Sequence, residues 1–174
     1  MASSAFVARL NEQLGYEFGA HQQYVAIAAY YDALTMPQMA ALFYNQAVEE
    51  RDHAMMMIQY LLDADAEIRI PALEAPEMSF ADVIAPVKLA LDQEKRVTDQ
   101  INELTRIARD ENDFASDQFM QWFVKEQVEE VAKMSDLLAV VTRSASDYER
   151  IEDWVAREDS SVGDDPTAPR KAGA

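Results

Sequence analysis

Hydrophobic residues recur along most of the chain at intervals of three and four positions, the spacing of one face of an α-helix. This pattern predicts four helices of about 30 residues, each about 45 Å long, and a shorter one near the end of the chain. The polar stretch from Asp159 has no apolar stripe, so we expect 1–158 to fold and 159–174 to be a disordered tail. The predicted helices cover roughly residues 4–33, 37–65, 80–109, 114–143 and 147–158.

The links between the helices predict how they are arranged. Short first and third links make antiparallel pairs, whereas residues 66–79 could extend about 46 Å, the length of the whole bundle. We therefore predict an all-α four-helix bundle with one long crossover and a short fifth helix at the C-terminus. The predicted N-caps of the five helices are Ser3 or Ser4, Thr35 with Gln38, Ser79, Asp113, and Ser146 with Glu149.

Composition narrows the class of protein. No glycine lies between Gly19 and Gly163, which disfavours the tight turns of antiparallel sheets, and the absence of cysteine excludes disulfides and thiolate metal sites. The net charge of −17 predicts a protein that attracts cations and repels nucleic acid and anionic membranes. The longest apolar run is too short to span a bilayer and Arg9 interrupts any signal-peptide pattern, so we expect a cytoplasmic protein with no membrane partner.

Six polar side chains interrupt the apolar stripes of the four long helices. Each occupies a position where the periodicity places a core residue, and each lies near the midpoint of its predicted helix. Antiparallel helices of equal length bring their midpoints to one level, so we expect these side chains to converge at the centre of the bundle. They are Glu17, Glu50, His53, Glu94, Gln127 and Glu130.

The converging carboxylates need compensating positive charge. Burying an unpaired carboxylate costs on the order of several kcal/mol, and no lysine or arginine occupies these stripe positions. Four carboxylates balance two divalent cations, and oxygen donors with one imidazole suit Fe(II), Mn(II) or Zn(II). The pattern therefore predicts a dinuclear metal site, and a set of paired structural residues is the alternative.

The sequence around these positions resembles the ligand set of the non-haem bacterial ferritins, over roughly residues 5 to 158. The resemblance implies a ferritin-like fold and a hollow shell of 24 subunits. It also implies that each bundle oxidises Fe(II) with dioxygen at a di-iron centre and that the shell stores the ferric mineral. It rests on Glu17, on Val48-Glu49-Glu50-Arg51-Asp52-His53-Ala54, on Leu91-Asp92-Gln93-Glu94 and on Glu126-Gln127-Val128-Glu129-Glu130.

The same resemblance implies how the central residues share two irons. The fourth helix lacks the second Glu-x-x-His motif of bacterioferritins, so the second iron should be held more weakly and pass on to a mineral. Haem-binding relatives have a methionine immediately before the motif histidine, where this chain has Asp52, and no haem is expected. By resemblance, Glu17 and His53 hold one iron, Glu50 bridges, and Glu94 with Glu130 holds the second iron near Gln127.

Four further side chains are secondary candidates. Glu49, Glu126 and Glu129 resemble the third iron site of bacterial ferritins, on the face that the family turns toward its cavity. A solvated helix face is the alternative. Tyr24 lies one heptad beyond Glu17 and either supplies an electron or a hydrogen bond during oxidation, or is a buried core tyrosine.

Three functions remain open from the sequence. The first is an iron-storage ferritin with ferroxidase activity, whose partners are Fe(II), dioxygen and further copies of the chain. The others are a non-catalytic metal container and a soluble di-iron oxidase acting on an organic substrate. Dioxygen use separates the first from the second, and shell size separates the first from the third.

Overall fold

The computed structural model describes residues 2–158 and 165–173, and within these ranges the chain folds into five α-helices. Within those ranges there is no β-strand, so the predicted all-α class is confirmed. Helix α1 packs along α2 and α3 packs along α4, while α5 contacts α2 and α4. The helices are α1 Ser4–Ala33, α2 Pro37–Asp63, α3 Ala85–Asp110, α4 Phe114–Arg143 and α5 Tyr148–Glu158.

The apolar core is divided into two clusters by a polar layer. One cluster includes Tyr24, Phe43 and Met134, and it also takes in Ile151 of α5. The other lies at the opposite end of the bundle and includes Leu14 and other residues on all four long helices. The six polar stripe residues fall between the two clusters in every long helix. The bundle therefore buries these six polar side chains in one central layer.

The N-termini of α1 and α4 are held by one carboxylate. The Ser3 hydroxyl caps α1 by accepting the Phe6 N–H at 3.2 Å, as predicted. Asp113 caps α4 by accepting the Ser116 N–H at 3.2 Å, and its other oxygen accepts the Ser3 N–H at 2.8 Å. Asn112 adopts φ 54° in the turn before α4, a left-handed conformation that asparagine tolerates.

Asp113→Ala is expected to lower the free energy of unfolding by about 1–2 kcal/mol at pH 7. Burial alone would raise the pKa of Asp113, but the hydrogen bonds from Ser116 and Ser3 outweigh it and hold that pKa below its usual range. This contribution is therefore complete above the pKa of an unfolded aspartate, about 4, and disappears as the pH falls through the folded value. Urea unfolding at pH 7 and in acid measures the difference, with the exposed Glu111→Ala as control. A difference that persists undiminished in acid would contradict it.

Helix α2 begins at Pro37 as predicted, but its cap differs from the prediction. Thr35 adopts φ 59° and Met36 is the N-cap, without a side-chain hydrogen bond. A carboxylate from α5 takes the place of the predicted capping box: Glu152 accepts the Gln38 N–H at 2.7 Å and the Met39 N–H at 2.9 Å. The short fifth helix thus completes the hydrogen bonding of α2.

Removing this carboxylate should loosen both helices. We expect Glu152→Ala to lower the free energy of unfolding by about 1–2 kcal/mol. The substitution leaves two N-terminal amides of α2 without an acceptor and removes a negative charge from the positive end of the helix dipole. Hydrogen exchange at Gln38 and Met39 should accelerate, and the melting temperature should fall. Asp153→Ala, which removes the neighbouring exposed carboxylate, is the control and should change neither. Equal effects of the two variants would contradict the cap.

The predicted start of α3 and the predicted cap of α5 are wrong. Helix α3 begins at Ala85 rather than near Ser79, because the side chain of Asp82 accepts the Ile84 and Ala85 N–H groups at 2.8 and 2.9 Å. The crossover therefore extends over residues 64–84. In α5 the N–H of Arg150 binds Asp147 at 3.1 Å instead of using the predicted Ser146.

The end of the chain lies against α2 and α4 where the structure describes it. The Ala172 N–H donates to the Met55 carbonyl at 3.0 Å, and Lys171 pairs with Asp52 at 2.9 Å. The sequence predicted a disordered tail from residue 159; residues 159–164 and 174 lie outside the described residues. None of the helices in the described ranges combines the length and the apolar character that a bilayer crossing requires.

Candidate metal centre

The structure brings all six polar stripe residues into the central layer. Helices α1 and α3 each contribute one of them, and α2 and α4 each contribute two on successive turns. None is more than 5% exposed, so water does not solvate their charges. They are Glu17, Glu50, His53, Glu94, Gln127 and Glu130.

Three of these residues form a compact group of donor atoms. His53 Nδ1 lies 3.7 Å from Glu17 Oε2 and 3.6 Å from Glu50 Oε2, and one donor atom from each residue lies within 4.8 Å of the others. Glu17 Oε1 accepts a hydrogen bond from Gln13 at 2.8 Å, whereas the buried Glu17 Oε2 has no hydrogen-bond partner. A buried carboxylate oxygen without a partner is costly, and a cation bound between these three residues would satisfy it.

The α3 carboxylate is held by neighbouring donors. The Tyr24 hydroxyl donates to Glu94 Oε1, and Gln127 Nε2 donates to Glu94 Oε2 at 3.2 Å. Gln127 also donates to the Glu94 carbonyl at 3.2 Å, which ties α4 to α3 at this level. Tyr24 is fully buried, so its hydroxyl orients the carboxylate from inside the layer.

The carboxylate of Glu130 is linked to the surface of the bundle through the side-chain amide of Gln46. Gln46 Nε2 donates to Glu130 Oε2 at 2.8 Å, and Lys133 Nζ donates to Gln46 Oε1. The Lys133 ammonium also lies 3.7 Å from Glu49 Oε2. Sequence reasoning passed over Gln46, although it occupies the apolar stripe one turn before Glu50. Lys133 lies off the stripe, and nothing in the pattern identified it.

The carboxylates of the layer carry more negative charge than their surroundings balance. Burial raises the pKa of Glu50 well above its usual range, and the nearby charge of Glu94 adds to the effect. Burial also raises the pKa of Glu94, against the hydrogen bonds from Tyr24 and Gln127. Burial raises the pKa of Glu130 to about 7, although the charge of Lys133 opposes the rise. Each shift disfavours the ionised form, and a bound divalent cation would reverse it.

The imidazole is the positive partner within the layer. Burial alone would lower the pKa of His53, but the nearby carboxylates of Glu17 and Glu50 raise it well above its usual range. Burial alone would raise the pKa of Glu17, and the contacts with His53 bring it below its usual range instead. The edges of Trp122 and Phe123 pack against the ring at 5.6 and 5.7 Å between centroids, which fixes its orientation.

The three outer glutamates line a groove of about 300 Å³ between α2, α4 and α5. Glu49 and Glu126 are partly buried and Glu129 is exposed, 3.7 Å from the ammonium of Lys125. Burial raises the pKa of Glu126. Glu130 borders the same groove as well as the central layer, so the two groups of carboxylates are contiguous.

Comparison with known proteins agrees with this architecture. The ferritin-like domain matches residues 7–144. Ferritin BfrB of Mycolicibacterium smegmatis is 52% identical over 168 residues, covering 97% of this chain and 93% of the relative. Bacterial non-heme ferritin of Staphylococcus aureus is 35% identical over 84% of this chain and 89% of its own.

Solved structures of ferritins have the same fold. An open-pore ferritin from the archaeon Archaeoglobus fulgidus superposes with a TM-score of 0.88 at 27% identity, over 93% of this chain and all of the other. The matched domain covers most of the chain, and relatives well above 30% identity span nearly all of it. As the resemblance of its buried residues indicated, the chain belongs to the ferritin family.

Proposed function

We propose that this protein stores iron in a ferritin shell and oxidises Fe(II) with dioxygen in the central polar layer. Iron is the substrate and the stored cargo. The observation that carries the proposal is the layer itself, in which four helices bury four carboxylates and one imidazole at one level. This donor set matches two divalent cations in charge and prefers iron, manganese or zinc to softer metals.

The side chains of the layer divide between two iron positions. Glu17 and His53 bind the first, with the unpartnered Glu17 Oε2 as the open donor. Glu50 lies beside His53 and bridges to the second, which Glu94 and Glu130 hold with Gln127 nearby. Tyr24 keeps Glu94 oriented through its hydroxyl.

The chemistry follows from these ligands. Each Fe(II) gives one electron, so a pair of ions delivers the two electrons that, with two protons, reduce dioxygen to hydrogen peroxide. Carboxylate oxygens stabilise Fe(III) more than Fe(II) because its charge is higher, which favours the loss of the electron. The apolar clusters on both sides keep water out of the layer and strengthen its electrostatics.

The product is expected to leave for the inside of a shell of 24 subunits. The net charge of −17 attracts Fe(II) to the protein, and Glu49, Glu126 and Glu129 lie next to Glu130 on the route out of the layer. A non-catalytic container and a di-iron oxidase for an organic substrate are the alternatives. Neither requires the combination of a large shell and rapid use of dioxygen.

Size-exclusion chromatography followed by aerobic Fe(II) addition tests the proposal. The metal-free protein should elute near 24 times 19.6 kDa and turn amber as it consumes dioxygen. A monomer or dimer would rule out storage in a shell. If the shell assembles and takes up iron without consuming dioxygen, the protein is a non-catalytic metal container instead.

Replacing an outer glutamate should separate the fast and slow phases of oxidation. In Glu129→Ala we expect the first two Fe(II) per subunit to react at the wild-type rate, because this exposed side chain is outside the layer. Turnover at many Fe(II) per subunit and the iron-to-dioxygen ratio should change, because a third ion loses a ligand. Stopped-flow oxidation measures both phases, with Asp136→Ala in the same groove as control. A variant slowed in the first phase would contradict this assignment.

A further inference from the structure

A lysine ammonium lies where the groove meets the central layer. Lys133 Nζ donates to Gln46 Oε1 and lies 3.7 Å from Glu49 Oε2. Its side chain is one-third exposed, and Glu49 is exposed to the same degree. The ammonium therefore contacts an outer glutamate and a buried amide at the same time.

The buried amide extends this contact into the layer. Gln46 is fully buried, and its Nε2 donates to Glu130 Oε2 at 2.8 Å while its Oε1 accepts from Lys133. Both ends of the amide are thus engaged, which fixes its orientation. An unbroken chain of hydrogen bonds runs from the ammonium through the amide to a carboxylate of the layer. Since Glu130 also borders the groove, this chain lies across the boundary between the two acidic groups.

We propose that Lys133 acts as a fixed counter-ion between Glu130 and Glu49 and that its ammonium competes with a metal ion for the outer glutamates. This role rests on the proposed function, because it concerns iron leaving the layer. A cation that binds Glu49 has to compete with the ammonium for the same carboxylate. Lys133 is a positioning residue, which weakens the third site and thereby keeps iron in the layer until it is oxidised.

A second lysine on the same helix shows that the position of an ammonium decides how strongly it weakens cation binding at the outer glutamates. Lys125 also lies near an outer glutamate, 3.7 Å from Glu129 Oε1, but it is 59% exposed and its other contact is Asp165 at 3.5 Å. Solvent screens such a pair, and the structure gives it no hydrogen bond to the buried amide. An ammonium about 4 Å from the competing carboxylate and partly shielded from water should weaken cation binding by about tenfold.

Zinc titration of the metal-free shell tests the role without relying on oxidation. The wild type should bind two Zn(II) per subunit tightly and a third weakly, as measured by isothermal titration calorimetry. In Lys133→Met, which keeps most of the length of the side chain and removes its charge, the third Zn(II) should bind about tenfold more tightly. The affinity of the first Zn(II), held by Glu17 and His53, should change less than twofold. Lys133→Gln is a second uncharged variant for the case that the first does not assemble.

Two controls separate this role from a general charge effect. Lys133→Arg keeps the charge and should resemble the wild type. Lys95→Met removes a charge from the exposed side of α3 and should leave the third affinity unchanged. An unaltered third affinity in both uncharged Lys133 variants, or an equal change in Lys95→Met, would overturn the inference. If the wild type fails to bind two Zn(II) tightly, the proposed function fails instead, so the two failures are distinguishable.

Discussion

Glu50→Ala is expected to slow the rapid phase of Fe(II) oxidation by about 100-fold or more. Glu50 Oε2 lies 3.6 Å from His53 Nδ1, and the charges of Glu94 and Glu17 both act on this carboxylate. It is therefore placed to contact both ions of a pair, and no other side chain could take over the bridge. Stopped-flow measurement at two Fe(II) per subunit gives the rate of this phase directly.

The same variant should assemble and be at least as stable as the wild type without metal. Burial raises the pKa of Glu50 well above its usual range, which means that the ionised carboxylate is unfavourable in the empty layer. Alanine removes that cost and leaves a small cavity, so the two effects offset each other. The exposed Glu74→Ala is the charge-matched control, with wild-type oxidation expected. A normal rapid phase in an assembled Glu50→Ala shell would show that oxidation takes place elsewhere.

Zinc should abolish the rapid phase. Two Zn(II) per subunit would occupy the carboxylates and imidazole of the layer, because oxygen and nitrogen donors in an open site suit this ion. Zinc does not change oxidation state, so the bound ions block the positions of Fe(II) without reacting. Mg²⁺ at the same concentration is the control, since it retains its waters and fits a buried layer poorly. Unchanged oxidation in zinc-loaded protein would contradict the assignment of the layer as the site of oxidation.

The layer could be predicted from the sequence because its signal is periodic. Glu17, Glu94 and the Glu50–His53 pair interrupt apolar stripes near helix midpoints, and antiparallel packing brings midpoints together. The spacing of three and four residues depends only on helix geometry, so it can be recognised without knowing which helices pack together. The same reasoning predicted the bundle and its long crossover.

Contacts between distant segments could not be predicted in this way. The cap of α2 comes from Glu152 in α5, so the local signal at Thr35 and Gln38 pointed to the wrong hydrogen-bond acceptor. The contact of Lys133 with Gln46 depends on how α2 and α4 rotate against each other, which a lysine outside the stripe does not reveal. The start of α3 followed Asp82 rather than Ser79, because both residues are equally good caps in sequence and the crossover decides between them.

The capping of α2 by Glu152 has a consequence for biosynthesis. The carboxylate lies 114 residues beyond the amide it accepts, so a ribosome completes α1, α2 and the central layer before the cap exists. The first turn of α2 then stays frayed until α5 emerges and docks, which makes this docking a late step of maturation. A nascent chain that stalls after α4 would carry every ligand of the layer and still expose one end of α2 to proteases.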